Sequence, residues 1–146
     1  MVDRLLAGAG HRLYSAPTRR DDAATAAAEI RLRLRQNDRD RALRALLQLN
    51  DDLVAEYGLV RGILGLAEPE QTGEPLWDAA IAALVEWRLR AEGIPLPGWV
   101  DQPERFVAEP RTLEVDPSDP VRPLSEVPDE FAKRGVLAWR DTFASM

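Results

Sequence analysis

The chain has 146 residues, of which 45% are hydrophobic and 30% charged, with 19 basic and 25 acidic side chains and a net charge of −6. This length suits one folded domain with its own core, and the acidic balance argues against broad, sequence-independent binding to nucleic acid. The absence of cysteine excludes disulfides, thiolate metal sites and a thiol nucleophile. No apolar run approaches the roughly 20 residues that span a bilayer, and the start is a poor signal peptide, so we expect a cytoplasmic protein without membrane contact.

The composition also predicts the fold class and its organisation. The chain contains 20 Leu and 21 Ala against 10 Val and 4 Ile, which favours helices over strands. Eight of the eleven prolines lie from Pro95 onward, and proline interrupts regular structure. We therefore predict a mainly α protein, a small helical bundle with a short N-terminal helix and a proline-rich, irregular and acidic C-terminal arm. The helical core domain is expected at residues 18–108 and the arm, with short helical turns, at residues 109–146.

The first elements along the chain are expected to be short. Residues 3–9 form a helix candidate, and the alternating residues 11–16 permit a short strand before a proline breaks the pattern. Residues 21–36 are predicted to be a helix, because Asp21 and Asp22 place negative charge at its N-terminus. The run IRLRLR within this segment also alternates like a strand, but the alanines before it favour helix.

Three further helices are predicted in the middle of the chain. Residues 38–57 show the clearest pattern, with Asp38 as the expected N-cap and a core-facing side expected to include Val54 and Tyr57. Residues 59–66 are expected to form a short apolar helix. Residues 75–92 are apolar on most sides, which predicts a helix buried within the domain.

The rest of the chain predicts less regular structure. The two prolines within residues 93–100 favour an extended segment, and a short helix is expected to follow at Pro103. Residues 128–134 and 137–144 are expected to form two short helical turns within the arm.

The sequence shows no recognisable catalytic chemistry. No nucleophile elbow, phosphate-binding loop or zinc-protease motif occurs. His11 beside the turn Gly8–Gly10 is typical of a surface residue. Pairs of acidic residues close together in the sequence, such as Asp51 and Asp52, are expected to be solvated or to lie where helices begin. We therefore expect no catalytic residue, no cofactor site and no metal site.

A cluster of arginines is the feature most typical of a nucleic-acid-binding protein. Three interpretations stay open, which are a solvated helix face, a protein contact and phosphate binding. No aromatic side chains interleave with the arginines to stack on bases, which favours the first. The cluster comprises Arg31, Arg33, Arg35, Arg39, Arg41 and Arg44.

Aromatic side chains follow the prolines towards the C-terminus. Such apolar anchors on a polar background can fold over their own domain or over another protein. The sequence does not decide between these two alternatives. The aromatic residues are Trp99, Phe106, Phe131, Trp139 and Phe143.

Several segments together resemble a group of actinobacterial Xre-type helix-turn-helix regulators and antitoxins. Residues 49–58 and 72–100 resemble the region after the DNA-binding domain of that family, and residues 128–139 resemble its end more loosely. Residues 3–20 resemble the last helix of the helix-turn-helix domain and the strand that leaves it. The matching positions are Leu5, Leu6, Gly10, Leu13, Pro17 and Thr18.

The resemblance implies a function that composition does not. Residues 1–17 would be a remnant of a helix-turn-helix domain, and because the helices that read DNA are missing, DNA binding is not expected of this chain alone. The resemblance implies a non-enzymatic antitoxin-like protein that binds a cognate nucleotidyltransferase-like toxin and occludes its active site. The expected anchors are Trp99, Phe131, Arg134, Trp139 and Phe143.

A second interpretation of the same resemblance stays open. The chain would then be the oligomerisation or ligand-sensing domain of a helix-turn-helix regulator. A second copy of the chain is a candidate partner in either case.

Overall fold

A computed structural model describes residues 20–113 and 123–144, and this part of the chain is mainly helical, with five α-helices and two very short strands. The predicted fold class, a small helical bundle, is confirmed. The predicted helix 3–9, the alternating residues 11–16 and the proposed domain remnant 1–17 lie outside the described residues. The helices are α1 (Ala23–Arg35), α2 (Arg39–Ala55), α3 (Gly58–Leu66), α4 (Pro75–Arg90) and α5 (Asp129–Ala132).

Helices α1 and α2 form a hairpin, and aspartates define where both helices begin. The Asp22 side chain accepts a hydrogen bond from the Thr25 N–H (2.8 Å), and the Asp38 side chain accepts one from the Arg41 N–H (3.1 Å). Each satisfies a backbone donor that has no partner within the helix. The hairpin turn includes Asn37 with a φ of 58°, so the two helices run antiparallel over a short connection. The helical interpretation of residues 21–36 is thereby confirmed over Ala23–Arg35.

Helix α4 is the centre of the core, as predicted. Every residue from Leu76 to Glu86 is buried, as is Leu89. Helix α3 crosses it closely at Gly65, where an added Cβ would lie 2.8 Å from Val85 Cγ1. Only glycine permits this approach, because a side chain would push the two helices apart.

The C-terminal elements are short but regular in part. The extended segment predicted at residues 93–100 ends in a 3₁₀ turn at Gly98–Asp101, and the helix predicted at Pro103 is a 3₁₀ turn, Pro103–Arg105. Strands β1 (Arg111–Thr112) and β2 (Val136–Leu137) pair in parallel. A last 3₁₀ turn spans Arg140–Phe143.

The described parts of the expected arm share the core with the helical bundle. A glycine turn fixes the arm, because Gly135 has a φ of 78° and an added Cβ would lie 2.7 Å from the Val107 carbonyl oxygen. The Val107 N–H donates to the Arg134 carbonyl (2.9 Å) at the same place. The described residues after 108, which are 109–113 and 123–144, therefore complete the domain. The core side chains that they supply are Leu113, Val127, Phe131, Val136, Ala138 and Phe143.

Candidate protein-interaction surface

The structure places the five predicted partner anchors in or against the core of their own chain. Four are buried, namely Trp99, Phe131, Arg134 and Phe143, and Trp139 is half-buried. The Trp99 indole N–H donates to the Gly65 carbonyl (3.0 Å), so even its polar atom is used internally. Of the two alternatives that the sequence left open, docking of the arm on its own domain is the one observed. A partner could reach the buried side chains of Phe131, Arg134 and Phe143 only if the arm left the domain.

An aromatic cluster attaches the arm to α4. The Trp87 ring meets Phe131 edge-on with centroids 5.8 Å apart, and it meets Phe143 at 5.7 Å. The Phe131 and Phe143 centroids are 5.2 Å apart. Edge-to-face pairs at these distances stabilise packing beyond the area that they bury.

A buried ion cluster attaches the arm a second time. The Glu86 carboxylate of α4 is fully buried and accepts hydrogen bonds from Lys133 Nζ and Arg134 Nη2, both at 2.7 Å. Arg90 Nη2 lies 3.2 Å from the same carboxylate, and Arg134 Nη2 also donates to the Val100 carbonyl at 2.9 Å. Burial opposes ionisation of this carboxyl, but the hydrogen bonds and charges of Lys133 and Arg134 outweigh burial and lower the pKa of Glu86.

This lowered pKa predicts how stability depends on pH. The contribution of Glu86 is complete above its pKa in the unfolded chain, about 4.3, and is lost as the pH falls through its lower pKa in the folded chain. Burial raises the pKa of Asp52. Its protonation at low pH therefore favours the folded chain, which is the opposite of the effect of Glu86. We therefore expect the free energy of unfolding, measured with urea, to fall between pH 7 and pH 3 by more in the wild type than in Glu86→Gln. Parallel curves for the two proteins would contradict this prediction.

An exposed apolar surface lies where α2 passes into α3. Val54, Tyr57 and Leu59 follow one another at this corner, and Leu66 lies two turns beyond Leu59 on the same side of α3. Tyr57 and Leu59 are 74% and 70% exposed. We call Val54, Tyr57, Leu59 and Leu66 the corner surface.

Val54 and Tyr57 are exposed, so the prediction that they belong to the core-facing side of their helix is wrong. Helix α2 ends at Ala55, so Tyr57 lies outside the helix and does not continue its apolar face. Its buried leucines are Leu46, Leu49 and Leu53, and Val54 is turned about 100° from Leu53. Both side chains therefore face outwards.

Arg61 fixes the backbone of the corner. Its guanidinium donates to the Glu56 carbonyl (2.9 Å), the Val54 carbonyl (3.1 Å) and the Arg88 carbonyl (3.0 Å). Carbonyls at helix ends have no partner within the helix, and the planar guanidinium satisfies three of them at once. The Tyr57 ring lies beside the same guanidinium, 6.0 Å from it. The corner surface is thus held in place before any partner binds.

The arginine cluster is paired on the surface in the structure. Four of its members contact carboxylates, at distances from 2.7 to 3.5 Å. These contacts fit the solvated-face interpretation, since each of these four charges has a neighbour of opposite sign. The pairs are Arg31–Glu70, Arg33–Glu29, Arg39–Glu74 and Arg41–Asp38.

Within residues 20–113 and 123–144, no group of three or more histidine, aspartate or glutamate side chains is placed to hold a metal ion. None of the helices in that part of the chain has the length and apolarity to cross a membrane. Comparison of the chain with protein-family models, with curated proteins and with solved structures found no match.

Proposed function

We propose that this chain is a non-enzymatic, antitoxin-like protein that binds a partner protein through the corner surface. The observation that supports this proposal is the exposure of four apolar side chains on a backbone that Arg61 holds in place. Exposed apolar patches on folded proteins are typical of interaction sites, and a tyrosine within such a patch is a frequent source of binding energy.

The proposed partner is a nucleotidyltransferase-like toxin, whose active site the bound chain would occlude. This choice of partner rests on the sequence resemblance alone. The charge of the chain is compatible with it, because a net charge of −6 favours approach to a basic nucleotide-binding cleft. The mechanism differs from the sequence expectation in one respect, since the corner surface replaces the buried aromatic anchors as the contact.

Co-expression with the product of the neighbouring gene tests the proposal. We expect a stable complex, relief of the neighbour's toxicity, and affinity at least tenfold weaker in Tyr57→Ala and Leu59→Ala, because each removes a large exposed apolar contact. Leu124→Ala is the matched control, since Leu124 is similarly exposed (66%) and lies in the arm. Isothermal titration of the purified proteins gives the affinities. Absence of a complex, or equal affinity of all three variants and the wild type, would refute the proposal.

One observation favours a second candidate function, the oligomerisation domain of a regulator. Leu59, Ile63 and Leu66 recur at helical spacing on the outward side of α3, and such a stripe can pair with a second copy of itself. Sedimentation equilibrium of the chain alone tests this second candidate. A dimer that Leu59→Ala dissociates supports this second function, and a monomer excludes it.

A further inference from the structure

A groove of about 560 Å³ runs between α1 and α2, on a different surface from the corner. Each helix contributes residues at spacings of three, four and seven, which form one stripe on each helix. Two antiparallel stripes of this kind form a groove in which a third helix can pack. The residues of the two stripes are Thr25, Ala28, Glu29 and Leu32 from α1, and Ala45, Gln48, Leu49 and Asp52 from α2.

The groove has an apolar floor and acidic groups along its edges. Ala26 and Leu49 are buried at its base, while Leu32 is 46% exposed. Asp21 and Asp52 line one end of the groove, and Glu29 lies further along α1. Glu29 is paired with Arg33, so an occupant would need apolar side chains for the floor and cationic side chains for the end at Asp21 and Asp52.

The described part of the chain begins with Arg20, at the acidic end of this groove. Arg20 lies beside α2, with Nη1 3.7 Å from the Asp52 carboxylate and Nε 3.5 Å from the Glu56 carboxylate. The segment joined to it, residues 1–19, lies outside the described part of the chain. It carries three arginines against one aspartate, and its large apolar side chains include Leu5, Leu6, Leu13 and Tyr14.

We propose that the groove between α1 and α2 is the docking site of this chain's own N-terminal segment, residues 1–19. The length suffices, because the groove follows α1 for two turns, about 10 Å, and residues 10–19 can span about 30 Å when extended. The leucines meet the apolar floor and the arginines meet the acidic end. The docked segment covers Leu32 and excludes a partner's helix from the groove. This inference does not depend on the proposed toxin-binding function.

Paramagnetic relaxation enhancement tests the docking in the full chain. The wild type has no cysteine, so Ala9→Cys carries a single nitroxide label. We expect the amide signals of residues 25–32 and 45–52 to lose more than half of their intensity in the labelled ¹⁵N protein. Mixing unlabelled ¹⁵N protein with labelled ¹⁴N protein should leave those signals unchanged, because the contact is within one chain.

A charged, bulky substitution in the groove provides the second measurement. Ala28→Arg, in the labelled protein, should restore the amide intensities, since Ala28 is exposed on the groove stripe. Ala132→Arg makes the same change at an exposed alanine of α5 and should leave the intensity loss intact. The proposal is overturned by undiminished groove signals, by a loss that also appears in the mixed sample, which would indicate docking on a second copy, or by a loss that Ala28→Arg does not relieve.

Discussion

Replacing Glu86 by alanine is expected to lower the free energy of unfolding by about 3–5 kcal/mol, the cost typical of breaking a buried ion pair by removing one partner. The substitution leaves the fully buried guanidinium of Arg134 without the carboxylate that it contacts at 2.7 Å. It also removes the acceptor of Lys133, so Lys133 and Arg134 both lose the carboxylate that attaches them to α4. Urea denaturation at pH 7, followed by circular dichroism, measures the change.

Two variants separate the buried pair from general charge effects. Asp101→Asn alters a solvent-exposed carboxylate that lies 3.7 Å from Arg134, and exposed pairs contribute less than about 1 kcal/mol. Glu86→Gln keeps the size of the side chain and one acceptor, so it should fall between Glu86→Ala and Asp101→Asn. A Glu86→Ala protein as stable as Asp101→Asn would show that the ion cluster does not hold the arm.

The helices could be predicted from the sequence because their signals are local. Asp22 and Asp38 cap the helices that follow them within three residues, and Pro75 sits in the first turn of α4. The pattern of the apolar residues in α4 likewise predicts burial on most sides, and the structure buries it. These features depend on a few neighbouring residues and need no knowledge of the fold.

The docking of the arm could not be predicted in this way. Glu86 meets Lys133 and Arg134 across 47 and 48 residues, and Asn50 donates to the Phe143 carbonyl across 93 residues. Nothing in the sequence near these positions identifies the partner. The sequence left open whether the aromatic residues of the arm contact their own domain or a partner, and in the structure Phe131 and Phe143 contact Trp87 of α4.

The corner surface could have been predicted from the composition of α3. Helix α3 is the nine-residue segment GLVRGILGL, whose single charged residue, Arg61, is buried. Its outward side therefore has only apolar side chains to present to solvent. A short helix without polar residues for its exposed side is itself an indication of an interaction surface.

Replacing Phe131 by alanine distinguishes a core role from a partner-anchor role most directly. Phe131 is fully buried and contacts Trp87 and Phe143, so we expect Phe131→Ala to lower the free energy of unfolding by about 3–5 kcal/mol through lost contacts and a cavity. Phe106→Ala is the matched control, because the same change at a side chain that is 36% exposed removes less buried area. We expect it to cost roughly 1 kcal/mol at the 25 cal/mol per Å² typical of apolar burial.

A core role and a partner-anchor role of Phe131 predict different combinations of chain stability and partner affinity. A core residue destabilises the chain when truncated, and it changes partner affinity only through the fraction of chain that remains folded. An anchor that binds a partner lowers affinity while the stability of the free chain stays near that of the wild type. Because the structure places the Phe131 ring between α4 and the C-terminal turn, we expect the first combination. Wild-type stability together with a tenfold loss of affinity would mean that the arm leaves α4 when the partner binds.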